Sequence, residues 1–249
     1  MNDTIISLNG ITKEFRIPRR KEATVLSHMT SRIVGREIQR PHTVTALHDV
    51  SLNVQAREVV GIVGDNAAGK STLLRVIAGI VHPTSGHVTV RGNVTSLISM
   101  SVSLRKTLTV KDNIFLAASC FGMTRAQTVR CFQDILEFGG LTDYVDMFPY
   151  QLSDGMNQRL AFSIAIHANP DILLLDEVFS AGDIGFTKKA SARMEEIIRG
   201  KCTVVVVSHN MERLRNLCDR VVWLEHGHVR EIGEPNATIN HYINAHTAP

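Results

Sequence analysis

The sequence predicts an α/β fold built on a mostly parallel sheet that presents a glycine-rich loop to a phosphate group. Three observations carry that expectation. The segment Gly64-Asp65-Asn66-Ala67-Ala68-Gly69-Lys70-Ser71-Thr72 fits G-x-x-x-x-G-K-[ST], with the apolar run Val59-Val60-Gly61-Ile62-Val63 ahead of it and Leu73-Leu74-Arg75-Val76-Ile77-Ala78 behind it. Strand, glycine loop and helix form the context that this motif needs. The last third of the chain alternates short apolar runs with helical stretches, the pattern of a parallel sheet. Two of those runs end in reactive side chains: Ile172-Leu173-Leu174-Leu175 in Asp176-Glu177, and Thr203-Val204-Val205-Val206-Val207 in Ser208-His209.

Each feature has a direct chemical reading. Glycines let backbone N–H groups turn inward on a phosphate, and the N-terminus of the following helix adds partial positive charge. Lys70 can reach the β- and γ-phosphates of a nucleotide, and the Ser71 hydroxyl can ligate Mg²⁺. A buried strand ending in Asp176 is the Walker B pattern, whose carboxylate holds Mg²⁺. Glu177 follows, positioned to orient an attacking water or accept its proton. A lone histidine after a strand is more often structural, but His209 follows the last buried parallel strand and is read as a γ-phosphate contact. Ligands of α/β sheets bind beyond the C-terminal strand ends, so one crevice can collect all of these groups. The fold class is therefore α/β, a P-loop NTPase core with a mostly parallel sheet, an N-terminal antiparallel β region and a helical lobe.

Composition narrows the function classes. The 249 residues, 44% hydrophobic and 20% charged, suffice for one large domain or a domain with two lobes. A formal net charge of +3 gives no nucleic-acid stripe. Cys120, Cys131, Cys202 and Cys218 form no C-x-x-C pair, so free thiols are expected rather than disulfides or zinc. The N-terminus lacks the pattern of a signal peptide. No apolar run approaches the ~20 residues that span a bilayer, so any membrane role has to come through a partner.

In chain order, Ile5-Ile6-Ser7-Leu8 reads as a strand. Phe15 follows, either a core aromatic or a ring for adenine to stack on. Residues 17–43 form a basic insertion with Arg19, Arg20, Lys21, Arg32, Arg36 and Arg40 against Glu22 and Glu37. Val25, Leu26, Met29 and Ile33 lie on one face at helical spacing. This is either a solvated surface helix or an element against an anionic membrane or membrane partner. Val50 to Val54 and Glu58 to Val63 are strands. After the loop helix, His87-Val88-Thr89-Val90 and Val94-Thr95-Ser96-Leu97-Ile98 read as two strands around an Arg91-Gly92-Asn93 turn.

The middle of the chain is helical. Thr109-x-x-Asp112 resembles a capping box, and Thr124 caps a second helix with Val129, Phe132, Ile135 and Leu136 on its apolar face. Leu141 to Tyr150 is irregular. Leu152-Ser153-Asp154-Gly155-Met156 opens a helix with Leu160, Ile164, Ala165 and Ala168 on one side, stopped by Pro170. Phe186 to Arg199 is a helix, residues 221–224 and 228–232 a hairpin, and a short helix follows Pro235. The expected organisation is one domain over residues 1–249. Its β-rich part covers 1–100, its helical lobe 101–168, and 169–249 holds the second half of the sheet.

With these residues in place, the chain resembles the ATP-binding subunits of ABC transporters over nearly its whole length. Leu152-Ser153-Asp154-Gly155-Met156 stands where that family has its signature L-S-G-G-Q. Ser180-Ala181-Gly182-Asp183 matches the D-loop, and His209 the switch histidine. The resemblance implies ATP and Mg²⁺ as ligands. It also implies a head-to-tail homodimer in which Ser153, Asp154, Gly155 and Met156 of one copy face the ATP on the loop of the other. Asp154 and Met156 depart from the usual signature, and Leu97-Ile98-Ser99-Met100-Ser101 lacks the Q-loop glutamine. Both departures, and the basic insertion, resemble the branch that exports polysaccharides such as O-antigen, teichoic acid and capsule.

That branch implies an ATPase peripheral to the cytoplasmic face of the inner membrane, paired with two copies of an integral membrane permease. The cargo would be a lipid-linked glycan, with no nucleic-acid partner. With the chain ending at Pro249, a C-terminal carbohydrate-binding domain is not expected. An importer or drug-exporter ATPase, which usually keeps the glutamine and the full signature, is the alternative within transport. A soluble ribosome or DNA clamp is the alternative outside it.

Overall fold

The computed structural model describes residues 3–17, 42–97, 104–176, 184–200 and 202–247. Most of the basic insertion, the 98–103 stretch, Glu177 and the D-loop residues Ser180, Ala181, Gly182 and Asp183 lie outside the described residues.

Two sheets form the body. The first is antiparallel, in the order β2-β1-β4, from β1 (Thr4–Ile17), β2 (His42–Gln55) and β4 (Ser85–Val90). β1 runs 14 residues, well beyond the Ile5–Leu8 expected from alternation, because register shifts between Leu8 and Ile11 and again near Lys13 break the two-residue period without ending the pairing. The second sheet has the order β5-β6-β7-β3-β8-β9. It contains β3 (Val59–Val63), β5 (Val94–Ser96), β6 (Ile172–Asp176), β7 (Thr203–Val207), β8 (Arg220–Glu225) and β9 (His228–Gly233). Neighbours from β5 through β8 pair parallel, and only β9 is antiparallel.

The central parallel strands β3, β6, β7 and β8 carry continuous apolar runs because both of their faces are covered. Alternate residues serve two different cores. Val59, Val63, Leu173, Leu175, Val204, Val206, Val221 and Trp223 pack into one. Val60, Ile62, Ile172, Leu174, Val205, Val207, Val222 and Leu224 pack into the other, against Ile6, Leu8, Leu52 and Val54 of the antiparallel sheet and Leu73, Leu74 and Ile77 of α1 (Lys70–Ile77).

The strands flanking the Arg91-Gly92-Asn93 turn do not pair with each other; they belong to different sheets. The first residue of the turn donates its N–H to the Ile5 carbonyl at 2.9 Å, holding that side to β1. On the other side, the Asn93 N–H donates to Asp171 Oδ2 at 2.8 Å and the Ile172 N–H to the Asn93 carbonyl at 3.0 Å. The turn is thus a switch between sheets.

The helical lobe contains α2 (Val110–Cys120), α3 (Arg125–Gly139) and α4 (Asp154–His167). Both expected caps form: Thr109 Oγ1 accepts from the Asp112 N–H, and Thr124 makes a capping box with Gln127. Val129 is a correction, since it is 57% exposed. Thr128 takes the buried position instead, tolerated there because its hydroxyl donates to the Thr124 carbonyl at 3.1 Å. Nor does α4 bury a single face. Every residue from Leu160 to Ile166 is buried. Ala161, Phe162, Ala165 and Ile166 serve the main core, and Leu160 and Ile164 that of the lobe.

Three more α-helices lie among the described residues: α5 (Ile184–Arg199), α6 (Met211–Leu217) and α7 (Pro235–Thr247). Sequence reading passed over α6. Its signal was Asn210, whose side chain accepts from the Arg213 N–H at 2.9 Å and caps the helix.

Candidate functional site

β3 is buried along its length and delivers the chain to Gly64. The loop from Gly64 to Gly69 then turns tightly, with φ of 149° at Gly64, 65° at Ala67 and 104° at Gly69. A side chain at Gly69 would meet the Ala46 carbonyl oxygen at 2.5 Å. Two hydrogen bonds brace the loop from outside. The Gly227 N–H donates to the Ala68 carbonyl at 3.0 Å, and the His48 N–H donates to the Gly227 carbonyl at 2.8 Å. The β8–β9 turn and β2 thus hold the loop from behind.

Lys70 opens α1 and is buried, at 9% exposure. Its Nζ donates to the carbonyls of Gly64 at 2.7 Å and Asp65 at 2.9 Å. Burial lowers its pKa from the usual lysine value, opposed by the nearby carboxylates of Asp176 and Asp65. A partly desolvated ammonium whose hydrogen bonds among the described residues go to the Gly64 and Asp65 carbonyls is poised to bind an anion, because anionic oxygens accept stronger hydrogen bonds than carbonyls.

One cleft of about 390 Å³ gathers residues from five parts of the chain. Phe15 comes from β1; Val44, Thr45 and Ala46 come from β2; Asn66, Ala67, Gly69, Lys70, Ser71 and Thr72 come from the loop and α1. Asp176 comes from the end of β6, and Val207 and His209 from the end of β7. The three strand ends converge, as the strand-end rule requires. Phe15 is 39% exposed at the mouth and carries the Lys13 ammonium 5.1 Å from its ring centroid, so it is not a core aromatic. Gly64, Asp65 and Ala68 belong to the loop without lining the cleft.

Ser153, Asp154, Gly155 and Met156 are not among the residues lining that cleft. They form the N-terminus of α4, where Ser153 Oγ accepts from the Met156 N–H at 3.2 Å. Ser153 and Asp154 are exposed, so this helix end faces outward from the chain. Sequence reasoning missed Val44, Thr45 and Ala46 as lining residues. They come from a strand distant in sequence, and no local pattern marks them.

A family model for the ABC transporter matches residues 47–180, which hold the glycine loop, the α4 N-terminus and the end of β6. The chain belongs to the ABC transporter family. Among curated relatives, it is 39% identical over 205 residues to the teichoic acids export ATP-binding protein TagH of Listeria innocua, covering 82% of this chain and 61% of that one. To the O-antigen export system ATP-binding protein RfbB of Klebsiella pneumoniae it is 33% identical, covering 98% of this chain and 99% of that one. The chain therefore spans about three fifths of the first relative and nearly all of the second. Among solved structures, an ATP-binding subunit of an ABC transporter superposes with a TM-score of 0.73 at 22% identity, covering 98% and 95% of the two chains. A dimeric bacterial ABC transporter cassette superposes with 0.69 at 25% identity, covering 92% and 98%. This family's fold accounts for both sheets and for the helical lobe.

Proposed function

We propose that the chain is the ATP-hydrolysing subunit of an exporter that moves a lipid-linked polysaccharide across the cytoplasmic membrane through a separate transmembrane subunit. One observation carries the catalytic half: Phe15, the glycine loop, Asp176 and His209 share a single cleft. The cargo half rests on the relatives, named for teichoic acid and O-antigen export.

The steps follow from the side chains. Adenine stacks on Phe15, and the triphosphate lies on the N–H groups of Gly64 to Thr72. Lys70 shifts its donors from the loop carbonyls to the β- and γ-phosphates. The Ser71 hydroxyl and the Asp176 carboxylate, both in the cleft, are hard oxygen donors that would hold Mg²⁺ there. Bound there, Mg²⁺ offsets the charge on the phosphates. Glu177 accepts a proton from water as the water oxygen bonds to the γ-phosphorus and the bond to the bridging β-γ oxygen breaks, releasing ADP. His209 donates to the γ-phosphate.

The exposed α4 N-terminus is completed by a second copy. Ser153 and Gly155 present N–H groups and a hydroxyl to the partner's ATP, with Asp154 and Met156 beside them. ATP thus joins the dimer and hydrolysis parts it. Among the described residues no helix is long and apolar enough to cross a membrane. The transmembrane path belongs to a permease, in two copies, with this chain on its cytoplasmic face.

Two measurements test the reading. The chain, purified gently from its own cells, brings down a membrane protein with several spans; ribosomes or DNA in its place would overturn export. Deleting the gene removes a surface glycan while its lipid-linked form accumulates inside. Loss of uptake of a nutrient, or of drug resistance, with the glycan intact would favour another transport class.

A further inference from the structure

The last helix of the chain reaches the glycine loop. Tyr242 Oη donates to Asp65 Oδ1 at 3.0 Å, and His246 Nε2 lies 2.9 Å from Asp65 Oδ2. The two rings meet at a tilt of 45°, centroids 4.6 Å apart, and both sit edge-on to Trp223 of β8 at 5.7 and 6.0 Å. His246 Nδ1 also lies 2.7 Å from the Tyr242 carbonyl. The carbonyl of the same Asp65 receives the Lys70 ammonium. One residue therefore joins the end of the chain to the lysine of the cleft.

The helix that holds Asp65 is itself anchored at two other points. Arg215 of α6 donates to Asn236 Oδ1 at 2.9 Å and Asn240 Oδ1 at 2.7 Å. Glu231 of β9 accepts from the Thr238 hydroxyl at 3.1 Å and lies 2.9 Å from His241 Nδ1. α6 begins two residues after His209. So α7 bridges the glycine loop to the segment behind His209.

We propose that Tyr242 and His246 are positioning residues for the nucleotide site: they fix the Asp65 side chain and thereby the loop conformation in which Lys70 meets the phosphates. The proposal rests on the reading of the cleft as an ATP site. An exposed carboxylate–imidazole pair adds little to global stability. Its consequence is local, because the backbone carbonyl of the same Asp65 accepts from Lys70 Nζ at 2.9 Å. Asp65 was expected only as a loop position whose backbone meets phosphate; the structure gives its side chain a separate task.

The test uses the full chain and reads KM for MgATP separately from kcat, with the melting temperature alongside. Tyr242→Phe keeps the ring and removes one hydrogen bond; His246→Ala removes the other. Each raises KM by roughly three- to tenfold, the range expected for one hydrogen bond, with a smaller change in kcat. His246→Gln restores KM toward the wild-type value, since its amide can donate to Asp65. Asp65→Ala combined with Tyr242→Phe is no worse than Asp65→Ala alone, as two members of one interaction require. An unchanged KM in both single variants, or lower melting temperatures without a KM effect, would overturn the positioning role while leaving the ATP site intact. A wild-type chain that fails to bind MgATP would overturn both.

Discussion

Gly64 packs its α-carbon against the main chain of Leu224, where a Cβ would lie 2.1 Å from the Leu224 carbonyl oxygen. Its φ of 149° is also one that residues with side chains rarely adopt. Gly64→Ala therefore has to move either the loop or β8. The expected cost is about 2–4 kcal/mol by chemical denaturation, from overpacking and backbone strain together. MgATP binding is lost even where the variant remains folded. Binding at wild-type affinity, read by a fluorescent nucleotide, would show that the loop tolerates the shift.

Glu177 is proposed to handle the attacking water. Glu177→Gln keeps shape and hydrogen bonding but cannot accept a proton. It should bind MgATP, remain dimeric on a sizing column, and turn over about 10²- to 10⁴-fold more slowly. Near-normal turnover would assign the base elsewhere.

Phe15 stands at the mouth of the cleft with its ring partly exposed. If adenine stacks there, Phe15→Ala weakens ATP binding by about 1–3 kcal/mol, while Phe15→Tyr or Phe15→Trp keeps most of it. Affinity for inorganic triphosphate, which has no base, should not change. Equal loss for both ligands would point to a collapsed cleft instead of lost stacking.

His246 brings a pH dependence with a definite sign. Its pKa is raised above 6.5, first by the Tyr242 carbonyl and then by the Asp65 and Glu225 carboxylates, with burial opposing. The charged groups around it are Asp65 from the loop and Glu225 from β8, with the Tyr242 hydroxyl and the His226 ring alongside. A folded-state value above the unfolded one means that the contribution is complete below 6.5 and fades as pH rises through the raised value. The melting-temperature difference between wild type and His246→Gln should therefore be larger at about pH 5.5 than at about pH 9. A difference independent of pH would show that the ring acts unprotonated.

Much of the site was legible because its chemistry is local. The glycine loop needs its residues in covalent order, and a buried strand that ends in Asp176 or His209 declares its own end. The caps at Thr109 and Thr124 were legible for the same reason, since cap and partner stand three residues apart. Less legible were Val129, which the helical period put on the wrong side of α3, and α6, too short for a periodic pattern. The contact of Tyr242 and His246 with Asp65 spans most of the chain, and no spacing rule announces it.

The sequence by itself determined the α/β class, the glycine loop with Lys70 and Ser71, and the strand ends at Asp176 and His209. It did so because turn geometry, capping and strand alternation depend on near neighbours. Only the tertiary structure decided which strands pair across the Arg91-Gly92-Asn93 turn, that Phe15 and β2 wall the cleft, and that α7 grips Asp65. Those outcomes depend on how two cores share the parallel strands. Burial and hydrogen bonding between distant segments settle that competition, and adjacent residues do not encode it.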